Sequence, residues 1–347
     1  MFTWTRESGS GRPRKMTSNN KEKASRRSAS QWAVAWRRFK RNKPGVIGLT
    51  MVIILFLFPL FEFAFTQLGW IFPARPDPAA YTFFYEIPPK IRQPPSLENL
   101  FKQPFRFTGI FGTTSIGSDV LSDMIHAAKY TLYVGILVTA ITMALSVAVG
   151  ATAGFFGGWV DNVLMRIAEV FLVFPSLLLI LVFVRIFTLT VGEPFWTIPP
   201  FNIQIPTGLT IVIVVVAIFN WGSNARMIRG EFLRIRELEF VEAERALGAG
   251  NGRIIFRHIL PNVLSSVIVV SSLTIAYAIL LEAAVSFLGF GDVNTITWGQ
   301  ILQENFGDAR VVWWAEFFPG LAILFSVFAF NLLGDGLSDA LNPRLRE

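Results

Sequence analysis

An all-α integral membrane fold with six transmembrane helices is predicted by three features of this sequence. Of its 347 residues, 52% are hydrophobic and only 16% are charged, against about 25% in soluble domains, and the mean hydropathy is +0.50. Six apolar stretches poor in Asp, Glu, Lys and Arg approach or exceed the roughly 20 residues that cross a hydrocarbon layer. The basic residues are also segregated: 13 of the 31 Lys and Arg lie within residues 1–43, ahead of the first apolar stretch.

Residues 1–45 form a basic N-terminal segment, expected to be disordered over 6–30. Ala33 to Phe39 is interrupted by Arg37 and Arg38 before any apolar stretch begins, so the first helix is expected to stay uncleaved. Trp32, Trp36 and Phe39 interleave with Arg37, Arg38, Lys40 and Arg41, an amphipathic pattern that suits a lipid surface as an interfacial anchor. The first span, at 46–67, runs from Val46 to about Phe65. Residues 68–127 follow as an outer loop with eight prolines between Pro73 and Pro104, too long for a simple turn and readable as a small cap or as an unstructured linker.

The core, residues 128–336, holds five further spans. The second lies within Tyr130–Val160 and is closed by glycines. The third runs from about Asp161 to Thr188, with Arg166 and Glu169 placed to pair on one helix face and Arg185 able to snorkel at its outer end. The fourth is Thr207 to Gly222, the fifth Asn262 to Leu288 and the sixth Phe317 to Gly334, before a tail at 337–347. Between Gly222 and Pro261 lie seven arginines, whereas Gly289–Glu316 carries only Arg310, and the loop from Leu68 to Lys129 has five acids against six bases. This asymmetry predicts that both termini and the loop at about 223–261 are cytoplasmic, and that the chain is a multi-pass protein of the cytoplasmic membrane.

Composition also narrows function. The basic excess sits beside the membrane, which argues for lipid contact and against nucleic acid. There is no cysteine, and the two histidines, His126 and His258, are far apart, so no metal site is expected. The chain contains no G-x4-G-K-[ST], H-E-x-x-H or G-x-S-x-G, so no catalytic residue is assigned and any ATP chemistry must belong to a partner.

The chemistry-bearing stretch is Phe240–Asn262, FVEAERALGAGNGRIIFRHILPN. Phe240, Ala243 and Leu247 recur at i, i+3 and i+7, predicting a short amphipathic helix. Gly248, Gly250 and Gly252 permit a reversal with positive φ, and Pro261 opens the fifth span. An ordinary helical hairpin on the membrane surface shares these features. Glu242, Ala243, Gly248, Leu260 and Pro261, however, fall at the spacing E-A-A-x3-G-x9-I-x-L-P, which resembles the EAA loop of ATP-binding-cassette (ABC) importer permeases. Glu244 replaces the second alanine and His258 the isoleucine.

Further segments, WRRFKRNKPGVIGL, GTTSIGSDVLSDMIHAAKYTLYVG, AGFFGGWVDNVLMRIAEVFLVFPSLLL, LLEAAVSFLGFG and FPGLAILFSVFAFNLLGDGLSDALNPRLR, are similar to the C-type permease of dipeptide and oligopeptide importers. Gly112–Asp119 departs from the family's G-T-D-E-x-G-R-D in lacking its acidic pair and arginine, and Asn342 replaces the Asp of D-A-L-D-P-R. The resemblance implies a type I ABC importer transmembrane domain, with the EAA loop coupling it to two partner ATPases that bind ATP and Mg. It also implies a B-type permease as heterodimer partner, an extracytoplasmic binding protein and alternating access as mechanism. Peptides are the implied cargo, with oligosaccharides or nickel complexes as the family's alternatives; a secondary transporter is the rival class. Glu282 ends a long uncharged run and is a candidate pathway residue by depth, though a structural hydrogen bond would also explain it. Ser265, Ser266, Ser271 and Ser272 mark either a polar face of the fifth span or its packing contacts.

Overall fold

Long apolar helices set the architecture, and the computed structural model describes it for residues 31–68, 91–97, 109–190, 196–198, 203–205, 207–292 and 295–341. The stretch expected to be disordered, most of the outer loop at 68–127 and Asn342 of the tail lie outside the described residues. Helix α1 (Gln31–Phe39) leads into the first span, α2 (Lys43–Leu68). In α1, Trp36 and Phe39 stack with centroids 5.7 Å apart, and Phe39 is buried. The second span is α3 (Val120–Phe156), whose 37 residues give a length of about 55 Å. It therefore starts well ahead of Tyr130, where Asp119 caps it by accepting from the Ser122 N–H at 2.8 Å; a capping carboxylate satisfies one of the free N–H groups of a first turn.

The expected third span is not one helix. It is α4 (Gly158–Val173) and α5 (Ser176–Thr190), bent by 87° at the break between them. Pro175 supplies the reason: it has no N–H to continue the helical ladder, and it drives the residue before it out of the helical region. Phe174 is accordingly extended, at φ −83° and ψ 143°. Arg166 and Glu169 do pair on α4, at 3.0 Å. Beyond α5, β1 (Trp196–Ile198) and β2 (Ile203–Ile205) form a small antiparallel hairpin, a local exception to the all-helical expectation.

The fourth span, α6 (Thr207–Arg236), runs on past Gly222, and two of the arginines beyond that glycine are held against other spans. Arg229 grips both carboxylate oxygens of Asp161 on α4, and Arg236 donates to the carbonyls of Gly154 and Phe155 at 3.2 and 3.0 Å, capping the last turn of α3. A cation there complements the negative end of the helix. Then come the short α7 (Glu239–Ala246), a turn at Asn251–Arg253, a π-helical turn at Ile254–Ile259 and the fifth span, α8 (Leu260–Val285). A second π-helical turn, Ser286–Phe290, ends α8; α9 (Trp298–Asn305) lies in the following loop, and α10 (Trp314–Leu341) is the last span. Among the described residues five helices are long and apolar enough to cross a membrane, or six spans if α4 and α5 count as one.

Glycines set how closely spans approach. On α3, a Cβ at Gly150 would stand 2.5 Å from the Ala225 carbonyl, and one at Gly154 only 2.6 Å from Phe232 Cβ, so α3 and α6 cross almost backbone to backbone. Gly45 on α2 meets Gly336 on α10 in the same way.

Candidate functional site

Two regions stand out, one at the end of the bundle where α6 runs into α7, the other at mid-depth. In the first, Val241 is fully buried in a cluster with Ile228, Phe232 and Ile235 of α6, Ile254 and Ile259 of the π turn, and Val263 of α8. One buried anchor on an eight-residue helix leaves the remaining faces outside. Phe240 is 41% and Leu247 83% exposed, and Glu242 and Ala243 are exposed beside them. The helix ends where Gly248 adopts φ +80°. The N–H groups of Leu247, Gly248 and Ala249 donate back to the carbonyls of Ala243, Arg245 and Glu244, closing the free end as a left-handed glycine terminus does. Of the three glycines expected to permit a reversal with positive φ, only Gly248 has it; Gly250 is extended, at φ −70° and ψ 154°, and Gly252 is in the short Asn251–Arg253 turn. Leu260 and Pro261 begin α8 directly after the π turn, where the missing proline N–H is tolerated. His258 Nε2 stands 3.5 Å from Glu244 Oε1, and the Arg245 guanidinium lies 5.8 Å from the Phe155 ring centroid. These contacts hold α7 to α3 and to the turn preceding α8.

At the other end of α8, Glu282 is fully buried. Ser286 Oγ donates to its Oε1 at 2.7 Å, while Oε2 has no hydrogen-bond partner among the described residues. Its neighbour Ala283 packs so closely on Gly299 of α9 that a Cβ there would meet the Ala283 carbonyl at 2.5 Å. The loop carrying α9 is tied to two other spans. Trp298 Nε1 donates to the Met124 carbonyl on α3 at 3.0 Å, and Asp292 Oδ2 accepts from the Leu209 N–H at 3.1 Å, capping α6. Asp292 escaped the sequence reading because a cap from another element leaves no local pattern. The serines of α8 bond back onto their own helix: Ser265, Ser271 and Ser272 donate to the carbonyls of Asn262, Val267 and Val269, and Ser266 is half-buried. Ser272 faces Gly334 of α10, where a Cβ would lie 2.7 Å from its Oγ, which places it in a helix contact.

A cavity of about 440 Å³ opens instead at the break of the third span, walled by α4, α5, α6 and α8. Its polar groups are Ser176, Asn220, Ser223, Asn224, Thr274 and Tyr277. Asn220 and Asn224, two carboxamides one turn apart in an apolar helix, were the available sequence signal; they were passed over because Gly222 was read as the end of the span. Among the described residues no group of three or more His, Cys, Asp or Glu side chains is placed to hold a metal.

Residues 146–347, more than half of the chain, match the family described as binding-protein-dependent transport system inner membrane component, and residues 30–95 match the N-terminal TM domain of oligopeptide transport permease C. The chain is 29% identical to the oligopeptide transport system permease protein OppC of Bacillus subtilis, over 96% of this chain and 97% of that one. It is 33% identical to the glutathione transport system permease protein GsiD of Pectobacterium atrosepticum, over 91% and 92% of the two chains. It is 31% identical to the dipeptide transport system permease protein DppC of Alkalihalophilus pseudofirmus, over 91% of each. With its apolar helices in the type I ABC importer arrangement, the chain belongs to the family of binding-protein-dependent transport system inner membrane components.

Proposed function

We propose that this chain is one permease half of an ATP-driven peptide importer. A B-type permease would complete the pathway, two ABC ATPases would bind ATP and Mg, and an extracytoplasmic binding protein would deliver cargo. The relatives named for oligopeptide, dipeptide and glutathione transport support peptide as the cargo class. The observation that carries the coupling role is α7 itself, whose one buried apolar side chain is Val241 while Phe240 and Leu247 stand exposed. An apolar face held out in this way suits a groove on a partner, here an ATPase on the cytoplasmic side.

The mechanism follows from what α7 is fixed to. Closure of the ATPase pair would carry α7 as a rigid body, since its far end is closed at Gly248 and its near end continues from α6. Motion passes to α3 through the Arg236 cap and the glycine crossing, and to α4 through the Asp161–Arg229 pair. Packed helices transmit such displacements because their contacts repack between discrete arrangements rather than stretch. A charge at the centre of the docking face tests the reading. Ala243→Asp would bury an unpaired carboxylate in the contact, at a cost on the order of several kcal/mol. The expected result is loss of ATPase subunits from the purified complex, or loss of binding-protein-stimulated hydrolysis. Transport by the wild-type chain alone in liposomes, driven only by an ion gradient, would make it a secondary transporter.

A further inference from the structure

We infer that the mid-depth cavity is a station that holds the backbone of a translocating peptide through uncharged hydrogen-bonding groups, so that side-chain charge on the cargo is not read there. The inference rests on the reading of this chain as a peptide permease. Three observations carry it. The first is depth. The cavity lies at Phe174, midway through the α4–α5 pair, at Asn220 to Asn224, midway along α6, and at Val270 to Tyr277, midway along α8. Non-helical backbone at such depth is tolerated where it is buried in protein or lines a cavity, as at the α4–α5 break.

The second is chemistry. Among the described residues, none that lines the cavity is Asp, Glu, Lys, Arg or His. A fixed charge in so apolar a setting would seize cargo of opposite sign and repel like sign, whereas passage needs binding weak enough for release. What the wall offers is carboxamide and hydroxyl. Asn220 Nδ2 donates to the Val216 carbonyl at 2.7 Å and Asn224 Nδ2 reaches Thr274 Oγ1 at 3.4 Å. Each amide therefore keeps its carbonyl oxygen and its second hydrogen for a ligand. A carboxamide is the chemical twin of a peptide unit, with donor and acceptor side by side.

The third is spacing. Asn220 and Asn224 are one turn apart, a rise of about 6 Å along α6. In an extended chain, peptide units facing the same side recur every second residue, about 6.7 Å apart. The two amides thus match alternate units of an extended peptide without regard to its sequence. Phe171, Phe174 and Phe219 form the apolar side of the same cavity, with Phe171 and Phe219 centroids 5.7 Å apart, a surface on which varied side chains can rest.

The test uses the assembled complex in proteoliposomes, with an acidic, a neutral and a basic tripeptide as cargo. Ser223, exposed in the cavity wall, accepts substitution. Ser223→Asp is expected to lower the acidic-to-basic uptake ratio by roughly tenfold and Ser223→Lys to raise it by a similar factor. Asn220→Leu combined with Asn224→Leu is expected to slow all three peptides by the same factor, since what is lost is backbone contact. Ser223→Cys, placed in a chain without native cysteine, is expected to react with a hydrophilic thiol reagent in a manner that the neutral tripeptide slows. A Ser223→Cys that stays unreactive in every nucleotide state would mean that lipid or the second permease seals the cavity, and overturns the inference. Unchanged ratios in both Ser223 charge variants, with wild-type import intact, overturn it as well. A wild-type complex that imports none of the three tripeptides refutes the peptide-importer reading itself, and the inference with it.

Discussion

Glu244 and His258, the two residues that depart from the EAA pattern, face each other across the Gly248 turn, with Nε2 and Oε1 3.5 Å apart. The sequence exposed each as an oddity but not their meeting, because the glycine turn that brings them together leaves no trace in spacing. Their side chains are 23% and 30% exposed, so the pair belongs in the range of partly solvated contacts, about 0.2–1 kcal/mol. We expect Glu244→Ala and His258→Ile each to weaken ATPase docking and the double variant, which restores the usual residues, to recover most of the loss. A double-mutant cycle on ATPase retention measures this, and strictly additive losses would show that the two side chains act independently. A similar exchange occurs at Gly112–Asp119. Thr114 and Ser118 stand at an acidic and the arginine position of the family pattern, and their buried hydroxyls are hydrogen-bonded at 2.8 Å. A neutral bond thus joins two positions where the family pattern has charged residues. Glu282 shows in the sequence only as the acid that ends a long uncharged run, whereas the bond it accepts from Ser286 required the fold.

Between helices, what matters is how near two backbones come, and that is where the sequence was least readable. Gly150 and Gly154 are ordinary residues in a hydropathy profile, yet they set the α3–α6 crossing that links the docking end to the core. Gly154→Ala would force apart Phe232 Cβ and the Arg229 carbonyl, 2.6 and 2.8 Å from the added carbon. We expect a loss of about 1–3 kcal/mol, as for overpacking elsewhere, read as a lower thermal midpoint of the purified complex. Gly230→Ala, on the same α6 but with open space around it, serves as the control and is expected to be neutral or slightly stabilising. Equal midpoints for the two variants would remove the argument for a tight crossing. The broken third span had its signal in plain view at Pro175, but a hydropathy window sums apolar length and is blind to a missing N–H. The ends of α3 and α6 were misplaced for a related reason: membrane crossing ends at charges, whereas helices end where hydrogen bonds and caps end, at Asp119 and beyond Arg236.

Across the whole molecule, the number of spans was readable because burial in lipid requires long apolar helices, and the structure adds how first and last are joined. Asn42 Nδ2 donates to Asp339 Oδ2 at 2.8 Å, and Gly45 meets Gly336, so the start of α2 and the end of α10 lie at one end of the bundle. The α7 segment continues from Arg236, which itself caps α3. The arginine-rich end should face the cytoplasm, since basic residues beside spans are retained there. Because the chain has no cysteine, single cysteines report sidedness directly. Arg253, exposed at the turn before the π segment, is a suitable reporter on the arginine-rich side. We expect Leu97→Cys, in the loop between the first two spans and 59% exposed, to react with a membrane-impermeant reagent in intact cells. Lys21→Cys and Arg253→Cys should react only after the membrane is opened. The reverse labelling would invert the topology and put α7 on the side where no ATPase can reach it, so this one measurement bears on the orientation and the coupling role together.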